Sequence, residues 1–156
     1  CADLRAGRVP FKSSPFSFPR TMAVNEVSSL LESHGIRPTQ QRVKVAQVLL
    51  AAPVHLTAEQ LLGTLRQSPS RVSKATVYNT LKLFVDHGLV RQMHLDPERC
   101  VYDSMIDSHH HFQNLATGEM IDIRTDEIAF SRLPALPPGT EIDSVEVVIR
   151  VRQPAA

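Results

Sequence analysis

The sequence predicts an α+β protein made of two small domains, and three features lead to that prediction. The 156 residues suffice for one domain or two small ones, and 42% of them are hydrophobic, enough to supply a core. Apolar residues recur at helical spacing through residues 24–86 and then change to short alternating runs. Residues 1–100 hold 13 Lys and Arg against 7 Asp and Glu, whereas residues 101–156 hold 4 against 9. A basic half joined to an acidic half indicates a polyanion-binding module beside a cation-binding one.

The first 21 residues are set apart from the rest, because they begin with Cys1 and run through several prolines with little periodicity. We expect residues 1–21 to be a disordered arm or upstream sequence, and Met22 to be the natural initiator. Basic residues interrupt every apolar stretch that could serve as a signal peptide, and no apolar run approaches the roughly 18 residues of a membrane span. We therefore expect a soluble, cytoplasmic protein that binds no membrane. The two cysteines, Cys1 and Cys100, exclude a disulfide framework and a four-thiolate zinc site.

Four short helices are predicted in the basic half, because apolar residues at helical spacing follow capping residues and end near Gly or Pro. The predicted helices are Val24–Ser33, a second from the cap Thr39 to Pro53, a third from the cap Thr57 to residues 67–69, and a fourth from the cap Ser73 to Asp86. Pro53–Leu56 is predicted to be a loop. Leu89–His94 and Cys100–Asp103 then form a strand hairpin around a turn at residues 96–98. Helices followed by a hairpin are the order of a winged helix-turn-helix, which we place at residues 22–103.

Residues 104–156 are predicted to be a small α+β domain. A second hairpin joins His109–Leu115 to Met120–Ile123 through Thr117-Gly118. A short helix over Asp126–Leu133 and a half-buried strand over Val145–Val151 complete the domain.

The outer face of the fourth helix suits a DNA major groove. On a helical wheel Asn79 and Lys82 lie opposite the apolar side, with Tyr78 at the border. Lysines there can contact phosphates, Asn79 can make a bidentate contact to adenine, and Tyr78 or Ala75 can meet a thymine methyl. Six cations surround this helix and favour a nearby phosphate backbone: Arg37, Arg42, Arg71, Lys74, and on the hairpin Arg91 and Arg99. An ordinary solvated helix is the alternative.

A run of three histidines indicates a metal site in the acidic half. A strand directs His109 and His111 to one face and His110 to the other. Asp122 follows across the hairpin turn, while Asp103 and His55 could close the site from the other domain. Nitrogen and carboxylate donors suit Zn, Fe(II), Mn or Co. An ordinary loop histidine is the alternative for His55.

The motifs above resemble the ferric uptake regulator superfamily over roughly Asn25 to Val151. The stretches that carry the resemblance are residues 35–42 (GIRPTQQR), 53–59 (PVHLTAE) and 75–81 (ATVYNTL), together with the triple histidine followed by residues 118–122 (GEMID). The resemblance implies a metal-responsive transcription factor with an N-terminal winged-helix DNA-binding domain and a C-terminal dimerisation domain. It implies metal ligation by His55, Asp103, His109, His111 and Asp122, and adds Thr76 to DNA-binding candidates Arg37, Arg42, Lys74, Tyr78, Asn79 and Lys82.

Three departures from the superfamily pattern narrow the prediction. Asn114 and Thr117 stand where the first cysteine pair of a structural zinc site would be, so stability must come from the core and the dimer interface. Ala129 and Val145 replace ligands of a further metal site, and Asn79 replaces a common arginine. We expect the interface to use strand Val145–Val151 with Met120, Ile121 and Ile123. These features look most like the iron response regulator branch, in which haem is sensed; His109, His110 and His111 are the candidate haem ligands.

The sequence therefore predicts a homodimeric regulator that represses iron-homeostasis genes by binding a double-stranded DNA operator. Its expected cofactor is one divalent ion (Fe, Mn or Zn) between the domains, or haem. A non-haem metalloenzyme with a two-histidine, one-carboxylate site is the alternative from a different class. The small second domain and the unexplained basic helix argue against an enzyme.

Overall fold

The computed structural model describes residues 22–51, 55–69 and 71–154. These residues divide into two compact units, 22–108 and 109–154, with the division between Ser108 and His109 rather than at the predicted start, Ser104. The arm predicted for residues 1–21 and the helix end predicted at Pro53 lie outside the described residues. Among the described helices, none combines the length and the apolar character required to traverse a bilayer.

Four helices build most of the first unit, as predicted: α1 (Val24–Ser33), α2 (Gln40–Leu50), α3 (Ala58–Arg66) and α4 (Lys74–Asp86). Thr39, Thr57 and Ser73 cap the last three, each accepting a hydrogen bond from a backbone N–H of the first turn. Gly88 ends α4 with φ at 69°, a left-handed conformation in which a Cβ would be strained.

The core of the first unit lies between the helices. Its fully buried side chains come from every helix and include Leu31, Leu49, Leu61, Leu81 and Phe84. On α4 the apolar side that the wheel predicts is buried, together with Thr80, whereas Ala75, Tyr78, Asn79 and Lys82 are exposed. Burial of one helix face against its neighbours provides most of the stability of such short helices.

A three-stranded antiparallel sheet completes the first unit. Its strands are β1 (His55–Leu56), β2 (Arg91–Asp96) and β3 (Arg99–Asp103), in the order β1-β3-β2. The wing hairpin β2–β3 was predicted, but the loop predicted at His55–Leu56 is wrong. A segment of two residues is too short to show the alternation that predicts a strand. His55 and Leu56 are strand only because they pair with β3.

The second unit contains a second three-stranded sheet, in the order β5-β4-β6. Strands β4 (His110–Asn114) and β5 (Met120–Ile123) form the predicted hairpin, and β6 (Val148–Val151) pairs with β4 in parallel. The predicted strand Val145–Val151 therefore begins three residues later than expected.

One expectation for the second unit is wrong, and a second, the dimer interface, stays a prediction. The helix predicted over Asp126–Leu133 is one 3-10 turn, Thr125–Glu127, and residues 128–147, all described, form no helix or strand. Phe130 and Leu133 are exposed, so this segment has no buried face to stabilise a helix. Met120 and Ile123, expected at the dimer interface, are buried at 8% and 4% exposure and so offer little surface to a partner.

The β4–β5 turn is held by the side chains of Asn114 and Thr117. Asn114 Oδ1 accepts hydrogen bonds from the backbone N–H of Ala116 at 2.9 Å and of Thr117 at 3.3 Å. Thr117 Oγ1 accepts one from the backbone N–H of Glu119 at 3.2 Å. Gly118 has φ at 74°, so the turn uses local hydrogen bonds and one left-handed glycine.

We expect Asn114→Ala to lower the free energy of unfolding by about 1 kcal/mol, because two backbone N–H groups lose their acceptor. Asn114→Asp keeps the acceptor oxygen and should stay close to the parent. Urea denaturation of both variants checks the prediction. Equal losses in the two variants would contradict it.

Candidate metal and DNA-binding sites

In the first unit, Asp103 lies at the end of the central strand β3 and is completely buried. Its register partner on β1 is His55, and His55 Nε2 lies 3.4 Å from Asp103 Oδ2. Asp103 Oδ1 accepts a hydrogen bond from the Met105 backbone N–H at 2.8 Å. We call His55 and Asp103 the first-unit pair; short strand β1 is what brings the histidine to the carboxylate.

Arg91 contacts the same carboxylate from the other side of β3. It is the register partner of Asp103 on β2, and its Nη2 lies 3.6 Å from Asp103 Oδ2. The side chain is 24% exposed. From the sequence, Arg91 is expected on a cationic wing surface, with no connection to Asp103. Pairing the two predicted wing strands residue by residue could have found this contact.

The second unit contains a separate cluster of three side chains, His109, His111 and Asp122. Asp122 is the register partner of His111 across the hairpin, and its Oδ1 lies 3.1 Å from His109 Nε2 and 3.6 Å from His111 Nε2. All three residues are buried. The structure therefore brings together the histidine pair and the carboxylate that the sequence predicted. We call them the second-unit cluster.

The geometry of both groups fits a divalent ion. Two ligands at about 2.1 Å from one ion lie roughly 3.0–3.4 Å apart in octahedral or tetrahedral coordination. The nitrogen–oxygen distances of 3.1, 3.4 and 3.6 Å lie in or close to that range. Imidazole nitrogens and carboxylate oxygens are donors that Zn, Fe(II) and Mn accept. The first-unit pair supplies two donor side chains and the second-unit cluster supplies three.

His110 faces away from this cluster and has a structural role. Its Nδ1 accepts a hydrogen bond from the backbone N–H of Val147 at 3.0 Å, and its ring packs edge-on against Phe130 with centroids 5.9 Å apart. The ring is 3% exposed, as is that of His109, while His111 is fully buried. A porphyrin would have to displace these contacts to reach any of the three rings, so the haem prediction gains no support from this geometry.

On the outer face of α4, Tyr78 is tied to α3. Its hydroxyl donates a hydrogen bond of 2.6 Å to Glu59 Oε1, and Lys74 Nζ lies 5.7 Å from the ring centroid. The hydrogen bond from Tyr78 lowers the pKa of the Glu59 carboxyl and raises the pKa of the Tyr78 hydroxyl. The contact fixes the direction of the Tyr78 ring relative to the helix, a constraint that the sequence analysis did not foresee.

The other predicted DNA-binding residues lie around the same face. Asn79 is exposed, and Lys82 Nζ donates to Asp86 Oδ2 at 2.7 Å, an exposed i,i+4 ion pair. Arg42 Nη1 donates to the Arg37 carbonyl at 2.9 Å, so these two arginines lie together at the start of α2. Residues of α2 and α4 line one groove of about 260 Å³: Thr39, Gln41, Arg42, Thr76, Asn79, Thr80 and Leu83. Three of the predicted residues, Arg42, Thr76 and Asn79, therefore line one concave surface.

Comparison with known proteins agrees with this arrangement. The sequence model of the ferric uptake regulator family matches residues 33–149. The chain belongs to the ferric uptake regulator family. The ferric uptake regulation protein of Rhizobium leguminosarum is 31% identical over 109 residues, which are 69% of this chain and 77% of that protein. The peroxide-responsive repressor PerR of Staphylococcus saprophyticus is 28% identical over 98 residues, 63% of this chain and 66% of that protein.

A solved structure extends the likeness to three dimensions. The ferric uptake regulator from Pseudomonas aeruginosa with manganese matches this chain with a TM-score of 0.62 and 31% identity, covering 85% of this chain and 98% of that one. The predicted fold class, α+β with an N-terminal winged helix-turn-helix and a dimerisation domain, is confirmed. Ferric uptake regulator family proteins are dimeric, metal-responsive DNA-binding transcription regulators rather than enzymes, and this chain is one of them. The iron response regulator branch stays a prediction.

We expect Tyr78→Phe to raise the pKa of the Glu59 carboxyl towards its ordinary value, because the donated hydrogen bond that favours the carboxylate is removed. In the parent, this contact stabilises the fold above the ordinary carboxyl pKa and is lost as pH falls through the lowered pKa of Glu59. An NMR titration of side-chain carboxyl carbons measures the pKa of Glu59 in the parent and in Tyr78→Phe. Asp126, whose pKa is lowered by Arg124, is the internal control and should not move. An unchanged Glu59 pKa would show that the hydrogen bond is not formed in solution.

We expect His111→Ala to weaken Mn(II) binding by about 10-fold or more, because it removes a buried donor from the second-unit cluster. His110→Ala should leave Mn(II) affinity close to that of the parent, since that ring contacts Val147 and Phe130 instead. Isothermal titration calorimetry measures the affinity, and urea denaturation separates it from loss of stability. Weakening of the same size in both variants would argue against the assigned faces.

Proposed function

We propose that this ferric uptake regulator family chain is a repressor of iron-homeostasis genes, with one divalent ion as its effector. As a homodimer on a double-stranded operator it would act in the cytoplasm. The observation that carries the proposal is the presence of buried donor groups on both units, the first-unit pair and the second-unit cluster. Neither group alone offers the four to six ligands that such ions take.

We infer that His55, Asp103, His109, His111 and Asp122 hold the same ion. Three imidazoles and two carboxylates form a mixed nitrogen and oxygen donor set, which suits Fe(II), Mn(II) or Zn(II). The manganese in the similar Pseudomonas aeruginosa structure supports an ion of this kind. A bound ion would supply a positive centre to which both units can attach.

The response to metal follows from where the ligands lie in the chain. His55 and Asp103 belong to the DNA-binding unit, and the other three ligands belong to the dimerising unit. Ligation by both sets restricts how the DNA-binding unit is presented, and in a dimer this sets the separation of the two α4 helices. An effector changes DNA affinity only to the extent that it binds the DNA-competent arrangement more tightly. Operators read by such dimers have half-sites at a matching spacing.

The proposed DNA interface consists of seven residues on α2, on α4 and in the segment just before α2. They are Arg37, Arg42, Lys74, Thr76, Tyr78, Asn79 and Lys82. Their basic members would contact phosphates, with Lys82 exchanging its Asp86 partner for one. Asn79, exposed beside the groove, can read an adenine edge, and Tyr78 is held by Glu59 against rotating away.

Haem is a second candidate effector, and it rests on the resemblance to the iron response regulator branch alone. His109, His110 and His111 are the rings that would ligate it. A shift of the visible absorption band on adding haem to the parent, lost in His110→Ala, would favour this effector over a divalent ion.

The test of the proposal is the metal response of His55→Ala. In the parent, saturating Mn(II) should raise operator affinity by roughly 5-fold to 150-fold, the usual range of coupling between two sites. In His55→Ala, metal still binds through the second-unit cluster, but the operator affinity should change little when it does. Fluorescence anisotropy with labelled operator, with and without Mn(II), gives both values.

The matched control is His94→Ala, which removes an exposed histidine from the wing strand β2. Its metal response should equal that of the parent. An unchanged metal response in His55→Ala would exclude His55 as part of the switch.

A further inference from the structure

We propose that Arg91 is the built-in counter-ion of Asp103 and that an incoming divalent ion must compete with it. Arg91 would thereby set the metal concentration at which this regulator responds. The inference rests on the proposed function, because it takes Asp103 to be a metal ligand. It adds a residue that neither the sequence motifs nor the family resemblance assigns to the site.

The first step of the argument is the position of Asp103 on the central strand. β3 has β1 on one side and β2 on the other, so a residue of β3 faces two register partners. For Asp103 these partners are His55 and Arg91. A histidine and an arginine therefore approach one carboxylate from opposite sides, fixed by backbone pairing.

The second step is that both partners approach the same oxygen. Asp103 Oδ1 accepts the Met105 backbone N–H, while Oδ2 lies 3.4 Å from His55 Nε2 and 3.6 Å from Arg91 Nη2. With Oδ1 occupied by the backbone, Oδ2 is the oxygen that would coordinate an ion together with His55. The guanidinium of Arg91 is already next to that oxygen.

The third step concerns charge. Asp103 is completely buried, and a buried carboxylate is costly unless a cation or hydrogen-bond donors accompany it. Arg91 meets that need without metal, because its positively charged guanidinium lies 3.6 Å from Asp103 Oδ2. Its positive charge therefore stays beside the ligand when a divalent ion arrives. Two cations that share one carboxylate oxygen repel each other, by an amount worth about 10-fold in affinity even in a water-like dielectric.

An opposite role for Arg91 makes an opposite prediction. If the guanidinium served only to orient Asp103 for the ion, as outer contacts of metal ligands often do, removing it would weaken metal binding. The competition that we propose requires that removing it strengthen metal binding. The sign of the change in affinity therefore separates the two roles.

The experiment compares Arg91→Met with the parent by calorimetric titration of Mn(II) and by urea denaturation in chelator. We expect Arg91→Met to bind Mn(II) about 10-fold more tightly, because the competing charge is gone. Without metal it should be less stable than the parent, because Asp103 loses its counter-ion. Arg91→Lys keeps the charge and should bind Mn(II) close to the parent value.

Arg99→Met is the matched control, since it removes one positive charge from the far end of β3, where Arg99 is the register partner of Asp96. It should leave Mn(II) affinity unchanged. If Arg91→Met does not fold without metal, Arg91→Gln, which also removes the charge but keeps a polar, shorter side chain, takes its place. The inference is overturned if the charge-removing variant binds Mn(II) only as tightly as the parent or more weakly.

The variant Asp103→Asn distinguishes failure of this inference from failure of the proposed function. A large loss of Mn(II) affinity in Asp103→Asn with no gain in Arg91→Met would leave Asp103 as a ligand and remove only the competing role of Arg91. Unchanged Mn(II) affinity in Asp103→Asn would exclude Asp103 from the metal site, and both proposals would then fall.

Discussion

A completely buried carboxylate, Asp103, is the constraint on which the first unit depends. Charge in a protein interior must be matched by charge or hydrogen bonds, and His55, Arg91 and the Met105 backbone N–H are among the groups that supply this to Asp103. Strand β1 between α2 and α3, and strand β2 after α4, supply two of these partners from distant parts of the sequence. The helices must therefore pack in one arrangement for the small sheet to form with this register. The need to neutralise the buried Asp103 carboxylate therefore constrains both the fold of the first unit and the positions of its candidate metal ligands.

The second unit also contains a buried carboxylate, Asp122, and pairs it with two histidines. Asp122 is placed between His109 and His111 by the register of β4 with β5, while the intervening His110 accepts a hydrogen bond from Val147 just before β6. Strand alternation thus gives one short segment two roles: His109 and His111 contact Asp122 on one face, and His110 attaches the last strand on the other. Local hydrogen bonds to Asn114 and the pairing of the strands hold this hairpin.

The DNA-facing surface is more constrained than a row of exposed side chains. Tyr78 donates to Glu59, Lys82 pairs with Asp86, and Arg42 donates to the carbonyl of Arg37. The exposed ion pair between Lys82 and Asp86 contributes little stability, because water screens it, so Lys82 can exchange Asp86 for another anion. Asn79 lines the groove between α2 and α4, and its exposed amide is the group that the proposed interface assigns to reading a base edge.

The sequence by itself determined the elements whose cause is local. Caps at Thr39, Thr57 and Ser73 and apolar residues at helical spacing were enough to place the four helices, and alternation was enough to place the histidine pair and Asp122 on one hairpin. Only the tertiary structure decided what depends on distant partners. His55 is strand because β3 pairs with it, Arg91 joins Asp103 because β2 lies on the other side, and Tyr78 meets Glu59 because α3 packs beside α4. The segment after Thr125 is not helical, because a short apolar stretch becomes a helix only when the fold gives it a surface on which to bury one face.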